Sequence, residues 1–144
     1  SSVHSIVLQA VLEHVRAPEI VIAEAFRVLR PGGHLYVEMP FLQGFHADPH
    51  DYQRYTLEGL RWQLRAFEEC LAGVSVGPFS TLVWMLRDGL SAWSTNRWVY
   101  AGCRFVAGWL FSPLRYLDLL LGDSRVARRL ANEFYFLARK PGPV

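Results

Sequence analysis

The chain has little cysteine, little net charge and no surplus of basic residues. Its two cysteines, Cys70 and Cys103, lack metal-ligand spacing and are too few to crosslink a fold, so they indicate buried or incidental thiols in a reducing compartment. The 15 basic and 13 acidic residues leave a net charge of +2, without the basic footprint typical of nucleic-acid-binding domains. We therefore expect a cytoplasmic protein that does not bind nucleic acid.

Long hydrophobic runs are also absent. In the tryptophan-rich part of the chain the longest run without a charge covers residues 105–114 and includes Pro113, whereas a membrane-spanning helix needs roughly 20 apolar residues. The amino end has neither the basic start nor the apolar core of a signal peptide. We expect no transmembrane segment and a chain that begins inside a domain.

The residues that are present suit one globular domain, since 51% are hydrophobic and only 19% are charged. The apolar run 3–11 predicts a parallel strand covered on both faces. Pro18 and Glu19 favour a helix start, and Gly32 with Gly33 favours its end. Further predictions are a strand over 34–39 ended by Pro40, a helix over 57–67 capped by Thr56, and a short strand over 74–76.

The chain changes character after residue 78. Four of its five tryptophans lie between residues 81 and 121, within apolar stretches interrupted by single arginines. Two interpretations remain open: helices that pack on the domain or a partner, or an amphipathic surface that contacts a bilayer or a lipid-linked substrate. A short basic helix over 124–130 and a final strand over 133–140 follow.

Two motifs carry a resemblance to a known family. The first is the stretch 9–15, Gln-Ala-Val-Leu-Glu-His-Val, and the second is the stretch 24–33, which ends in Arg-Val-Leu-Arg-Pro-Gly-Gly. Together, in this order and spacing, they resemble the class I S-adenosylmethionine-dependent methyltransferases of the type 11 group. In that family the first motif follows the fourth strand, and the second ends the next helix and opens the fifth strand.

The resemblance implies an α/β fold that corresponds to the carboxyl-terminal half of a Rossmann-like methyltransferase sheet. The sheet is expected to be mostly parallel with an antiparallel last strand. Residues 1–78 would form the sheet half, 79–131 a helical tryptophan-rich insertion, and 132–144 the final strand and tail. The family's glycine-rich loop and its ribose-binding acidic residue have no counterpart here, so we expect a fragment of a longer protein, inactive and aggregation-prone alone.

The cofactor implied by the resemblance is S-adenosyl-L-methionine. Gln9, Ala10 and Val11, at the end of the first strand, would lie beside it, because ligands of such sheets bind at the carboxyl ends of the strands. An ordinary buried strand end is the alternative. Glu13 is expected to cap backbone groups, and His14 either faces the substrate or makes a structural hydrogen bond.

The segment 40–56 follows the next strand and is expected to contact the substrate. His46 and His50 are the candidate catalytic bases, since imidazole titrates near a pKa of about 6.5, with Asp51 or Asp48 to orient one of them. The candidate substrate-binding residues are His14, Phe41, Tyr52, Arg54 and Tyr55. One alternative is a metal ion bound by the histidines and aspartates of this segment, but it is less favoured, so we assign no metal. A second alternative is a structural loop braced by an ion pair between Asp51 and Arg54.

The leading functional hypothesis is methyl transfer by the intact parent protein to an oxygen, nitrogen or carbon of a small or lipid-like acceptor. The alternative is a non-catalytic module of methyltransferase fold that binds a protein partner or a membrane surface. The expected partners are therefore a small-molecule or lipid-like acceptor and, through the tryptophan-rich segment, a peripheral membrane contact. The oligomeric state stays open.

Overall fold

The computed structural model describes residues 2–47 and 49–142, which contain a four-stranded mixed sheet. The strands are β1 (Val3–Gln9), β2 (Leu29–Pro40), β3 (Glu68–Val76) and β4 (Glu133–Arg139), in the spatial order β1-β2-β4-β3. β1 pairs parallel with β2, and β4 runs antiparallel to both β2 and β3. The predicted α/β class, with only the last strand reversed, is confirmed.

The helices of the first half begin where the sequence predicts. α1 (Pro18–Val28) has its proline in the first turn, and α2 (Leu57–Gln63) is capped by Thr56, whose hydroxyl oxygen accepts from the Gly59 N–H at 3.0 Å. α2 ends four residues earlier than predicted. Leu64 and Phe67, beyond its end, are nevertheless buried as the helical spacing anticipated.

The glycine pair does not end α1, and this prediction was wrong. β2 begins at Leu29, so Gly32 and Gly33 lie within the strand. The Gly32 N–H donates to the Lys140 carbonyl at 2.9 Å, and the Lys140 N–H returns a bond to the Gly33 carbonyl at 2.8 Å. Gly32 has a φ of +74°, and a Cβ at Gly33 would come within 3.0 Å of the His4 carbonyl oxygen. The positive φ therefore favours glycine at position 32, and the close approach to the His4 carbonyl favours glycine at position 33.

β1 is not covered on both faces, contrary to the prediction. It is an edge strand of the described sheet, and Val7 is 64% exposed. Ile6 and Leu8 are half-buried and pack against the main core. The apolar run thus forms the predicted strand, but within the described residues only part of its surface is covered.

The main core lies between β2, β4 and the first-half helices. Central side chains such as Leu35, Val37 and Phe136 are at most 2% exposed, and Leu12, Leu29, Leu60 and Leu64 belong to the same cluster. Burial of each such side chain contributes roughly 1.5–3 kcal/mol to folding. This core holds the carboxyl ends of β1 and β2 at one edge of the sheet.

The second half is helical, as predicted, although the limits of an insertion stay a prediction. It contains α3 (Pro78–Ser91), α4 (Arg97–Phe111), a 3₁₀ segment (Ser112–Leu117), α5 (Asp118–Leu121) and α6 (Arg125–Arg129). None of the helices in the described residues is long and apolar enough to cross a membrane. Cys70 and Cys103 are both exposed, so of the two interpretations, buried or incidental thiols, the structure fits the second.

Candidate functional site

Two segments meet at the carboxyl edge of the sheet. One is the 3₁₀ turn Leu12–His14 after β1, and the other is the loop 41–56 after β2. The Tyr52 N–H donates to the Glu13 carbonyl at 2.8 Å. The Gln53 amide nitrogen donates to the carbonyls of Leu12, at 2.8 Å, and Val15, at 3.0 Å. These bonds fix the loop against the turn, so residues far apart in sequence share one surface.

Glu13, His14 and His46 form the centre of this surface, and we call these three residues the edge cluster. The Glu13 Oε1 atom lies 3.8 Å from His14 Nε2 and 3.9 Å from His46 Nε2. The two imidazole rings meet edge to face with centroids 5.3 Å apart. The Glu13 side chain is 0% exposed, while both histidines are partly exposed. A buried carboxylate thus lies behind two accessible imidazoles.

Backbone carbonyls orient both imidazoles of the edge cluster. His14 Nδ1 lies 2.5 Å from the His50 carbonyl oxygen, and His46 Nδ1 lies 3.2 Å from that of Gly44. Because a carbonyl only accepts, each Nδ1 carries the proton in the neutral ring. Arg54 Nη2 is 3.4 Å from His46 Nδ1 but has a closer acceptor in Asp51 Oδ2 at 2.6 Å. Both Nε2 atoms, which face Glu13, are then free to accept a proton or bind a cation.

Asp51, whose side chain is buried, forms an ion pair with the partly exposed Arg54 that braces the loop. Asp51 accepts two hydrogen bonds from the Arg54 guanidinium and a third from the His46 backbone N–H at 3.0 Å. The Arg54 hydrogen bonds, aided by the His46 N–H, lower the pKa of Asp51 from 3.8 to about 2. Arg54 also donates to the carbonyls of Gln43 and Gly44. This arrangement matches the braced loop that the sequence offered as an alternative. The Arg54 guanidinium binds groups of the same loop.

The other residues predicted for the loop take more peripheral places. The His50 side chain is exposed and lies beside Tyr52 with ring centroids 5.5 Å apart, so only its carbonyl reaches the edge cluster. The Tyr52 hydroxyl accepts from Arg16 Nε at 3.0 Å. A metal on His46, His50 and the aspartates finds no support among the described residues, because Asp51 is engaged by Arg54; Asp48 lies outside them.

Tyr55 and Phe41 are half-buried and pack against neighbouring side chains. The Tyr55 hydroxyl donates to Gln53 Oε1 and accepts from Gln63 Nε2, each at 3.0 Å. Burial raises the pKa of Tyr55. The Phe41 ring contacts Phe134 with centroids 5.4 Å apart. Both side chains thus have packing partners, and their contact with a substrate stays a prediction.

Gln9, Ala10 and Val11 lie at the carboxyl end of β1, as predicted, and they are not buried. Ala10 has a φ of +50°, an unfavourable conformation for a residue with a Cβ, and its N–H donates to the Glu38 carbonyl at 3.2 Å. Glu13 does not cap backbone groups as expected, since neither carboxylate oxygen has a hydrogen-bond partner among the described residues.

Sequence reasoning missed several residues at this edge. Glu38 and Glu133 bring further carboxylates near Glu13; burial raises the pKa of Glu133, and the charges of Glu38 and Glu13 raise it further. Trp84 of α3 lies so close to Gly44 that a Cβ there would be 2.8 Å from its indole nitrogen. Glu13 was expected from the sequence only to cap backbone groups, and nothing in the sequence indicated Glu38, Glu133 or Trp84.

Comparison with known proteins supports the predicted resemblance. The model of the family described as "Methyltransferase domain" matches residues 1–37, which include β1, the turn with Glu13 and His14, and most of β2. No curated protein sequence matches the chain. The resemblance to class I methyltransferases of type 11 is thus confirmed in the segment that carried the motifs.

Solved structures extend the likeness of fold to nearly the whole chain. Phosphoethanolamine N-methyltransferase 2 of Haemonchus contortus, in complex with S-adenosyl-L-methionine, is 17% identical at a TM-score of 0.55, over 97% of this chain and 34% of its own. A SAM-dependent methyltransferase from Methanosarcina mazei is 15% identical at a TM-score of 0.51, over 99% and 61%.

The [4+2]-cyclase SpnF is also similar, at 18% identity and a TM-score of 0.54 over 97% of this chain and 50% of its own. The chain therefore spans between about one third and three fifths of these proteins. It has the Rossmann-like fold of methyltransferases, but a cyclase among the similar structures shows that this fold alone does not define a reaction.

Proposed function

We propose that the protein transfers a methyl group from S-adenosyl-L-methionine to an oxygen, nitrogen or carbon atom of a small or lipid-like acceptor. The observation that carries the proposal is the meeting of the family-matched turn, with Glu13 and His14, and the loop residue His46 at the carboxyl edge of the sheet. In open α/β sheets this edge is where ligands bind. This chain would supply the acceptor side of the site.

The residues present fit one wall of a cofactor site. Gln9 and Ala10 are exposed at the end of β1, and the left-handed conformation of Ala10 is the kind of backbone strain that concentrates at ligand sites. The Gln9 amide offers both a donor and an acceptor to a polar ligand. When bound, the cofactor supplies an electrophilic methyl group on a sulfonium. With only one wall present, we expect the isolated chain to bind the cofactor weakly.

The edge cluster provides proton-accepting groups for the acceptor side. His46 is the proposed general base, because its Nε2 is unprotonated in the neutral ring and the ring is partly accessible. Glu13 would stabilise the imidazolium that forms, and Asp51 would position His46 through the backbone N–H bond. His14, held in the same orientation, would contact the acceptor. His50 is left out, since its imidazole does not face the cluster.

Kinetics of the full-length protein test this role. We expect His46→Ala to lower kcat roughly 10²-fold or more, as for loss of a general base, with little change in cofactor affinity. His34→Ala, an exposed histidine near the other end of β2, is the matched control. A His46→Ala enzyme with unchanged kinetics towards an accepted substrate would remove His46 from the mechanism.

A second proposal concerns the helical segment 79–131, which we infer contacts an anionic membrane surface. Of the 23 large hydrophobic side chains that are exposed among the described residues, it holds 16, including Trp93 at 95% and Leu119 at 82% exposed. α4 buries only Ala107 of its 15 residues. An open apolar groove of about 580 Å³ runs between α3 and α4, lined by Leu90, Val99, Val106 and Leu110 among others. Such an apolar surface is unusual without an occupant.

The charge of this segment favours an anionic lipid surface as the occupant. Seven arginines against three aspartates give it a net charge of +4, whereas the whole chain carries +2. Arg97, Arg115, Arg125 and Arg129 form no ion pair with the described residues, and Arg97 stacks on Trp98 at 4.7 Å. Aromatic and basic side chains on one helical surface are typical of interfacial membrane binding.

Vesicle sedimentation tests the membrane contact. We expect the full-length protein to bind phosphatidylserine-containing vesicles and to bind pure phosphatidylcholine vesicles more weakly. Replacing Trp98 and Trp109 with alanine should weaken binding about tenfold or more, while Trp62→Ala, an equally exposed tryptophan outside the segment, should not. Equal binding by the two variants would contradict the proposal. Vesicle binding without methyl transfer to any acceptor would support the non-catalytic alternative.

A further inference from the structure

We propose that the edge cluster of Glu13, His14 and His46 binds one divalent transition-metal ion of the zinc class. Each residue offers one donor atom, and the three donor atoms lie within 4.8 Å of one another. One carboxylate and two imidazoles are a donor set typical of zinc and other first-row metals in proteins. The metal site deepens the proposed function, although its binding step does not depend on methyl transfer.

The donor separations suit a small ion. Ligands about 2.1 Å from a tetrahedral metal are roughly 3.4 Å apart. Glu13 Oε1 lies 3.8 Å from His14 Nε2 and 3.9 Å from His46 Nε2. Each imidazole nitrogen is thus within a few tenths of an ångström of the ideal separation from the carboxylate, and all three donor atoms lie within 4.8 Å of one another. The same separations are too long for hydrogen bonds, which end near 3.2 Å.

The burial of Glu13 favours a cation beside its carboxylate. Its side chain is 0% exposed, and neither carboxylate oxygen has a hydrogen-bond partner among the described residues. A buried carboxylate is costly unless it is paired with a charge or coordinates a metal. Among the described residues, the basic groups within 4 Å of this carboxylate are two imidazoles, which are too distant to donate a hydrogen bond to it. An ion between the three side chains would satisfy the carboxylate.

The second layer of contacts already orients both imidazoles for coordination. His14 Nδ1 donates to the His50 carbonyl and His46 Nδ1 to the Gly44 carbonyl. Metal-binding histidines usually carry such a bond, because it fixes the ring and leaves the other nitrogen as the donor. Both rings thus present their Nε2 atoms to the buried Glu13 carboxylate.

Bound metal would change how the acceptor is activated. Both histidines are partly exposed, so an ion held by three protein ligands keeps at least one coordination position open to an acceptor oxygen or nitrogen. The Nε2 atoms would then coordinate the ion and no longer accept protons. The ion would instead lower the pKa of a coordinated hydroxyl group. Proton acceptance by His46 therefore describes the metal-free site.

Metal titration of the full-length protein, with no cofactor or acceptor, tests the proposal. We expect one Zn²⁺ per chain by calorimetry, and a Co²⁺ complex whose visible absorption is displaced by Zn²⁺. Glu13→Gln and His46→Ala should each weaken Zn²⁺ binding at least tenfold, whereas His34→Ala should bind like the unaltered protein. Circular dichroism establishes that each variant is folded. X-ray absorption of the Zn²⁺ form should show two imidazoles and an oxygen ligand, whether or not the variants fold.

Three outcomes would overturn the site. They are no binding of Zn²⁺ or Co²⁺ at a micromolar concentration, undiminished binding in folded Glu13→Gln, or an absorption spectrum without imidazole ligands. Methyl transfer provides a separate result. If the protein binds Zn²⁺ as expected but turnover is unchanged after chelation, the metal site stands and its role in activating the acceptor is refuted. If the protein binds the ion but transfers no methyl group, only the proposed function is refuted.

Discussion

Replacing Asp51 with asparagine removes the buried charge that braces the loop 41–56. The side chain of Asp51 is 2% exposed and accepts from the Arg54 guanidinium and from the His46 backbone N–H. An asparagine has nearly the same shape, but its single oxygen replaces only part of these bonds, and its amide group opposes the guanidinium. We expect the variant to fold with lower stability and a looser loop.

The magnitude follows from the pKa of Asp51. A carboxyl group with a pKa of about 2 in the folded state and 3.8 in the unfolded state stabilises the folded state by about 2 kcal/mol at neutral pH. Because the folded pKa is lowered, this contribution is complete above about pH 4 and is lost as the pH falls towards 2. The stability difference between the unaltered protein and Asp51→Asn should therefore shrink over that interval.

Urea denaturation followed by circular dichroism measures the effect at pH 7 and at steps down to pH 2. Glu24→Gln is the matched control, since Glu24 forms a similar three-residue-spaced pair with Arg27 on the exposed face of α1, where solvent screens the charges. We expect no measurable change for this control. An Asp51→Asn effect as small as the control's, or one that stays constant from pH 7 to pH 2, would refute the reasoning.

Two further predictions concern stability alone. Ala10→Gly should raise the free energy of unfolding by about 0.5–1 kcal/mol. The reason is that the strain of an alanine at a φ of +50° exceeds the entropy that a glycine loses on folding. A lower free energy of unfolding in urea denaturation would contradict this. Phe136→Ala should cost about 3–5 kcal/mol, since the ring is 2% exposed in the main core. The control is Leu71→Ala, at a 59% exposed position on β3. Equal losses of stability in the two variants, measured by thermal unfolding, would show that the core is misassigned.

The fold was predicted well from the sequence where local signals are strong. The Pro18 helix start, the Thr56 cap and the final strand all lie where their residues indicated. The errors arose from long-range pairing. Gly32 and Gly33 were predicted to end a helix, because the residues around them in the sequence do not indicate their pairing with Lys140, more than a hundred residues away.

The candidate site could be predicted only in part. His14 and His46 were singled out, and the structure brings them together, but Glu13 was expected to cap a helix and instead lies buried between them. His50 and Arg54 looked equally suited to a site in the sequence. Hydrogen bonding decides between them: the His50 imidazole stays exposed, and Arg54 is engaged by Asp51 and backbone carbonyls.

The sequence by itself determined the family resemblance, the α/β class and the segment after β2 in which site residues would lie. These depend on spacing along the chain, which hydrophobic periodicity and turn residues record directly. Only the tertiary structure decided that Glu13, His14 and His46 share one cluster and that their Nε2 atoms face a buried carboxylate. Those relations join residues more than thirty positions apart through the parallel pairing of β1 with β2, which local sequence does not encode.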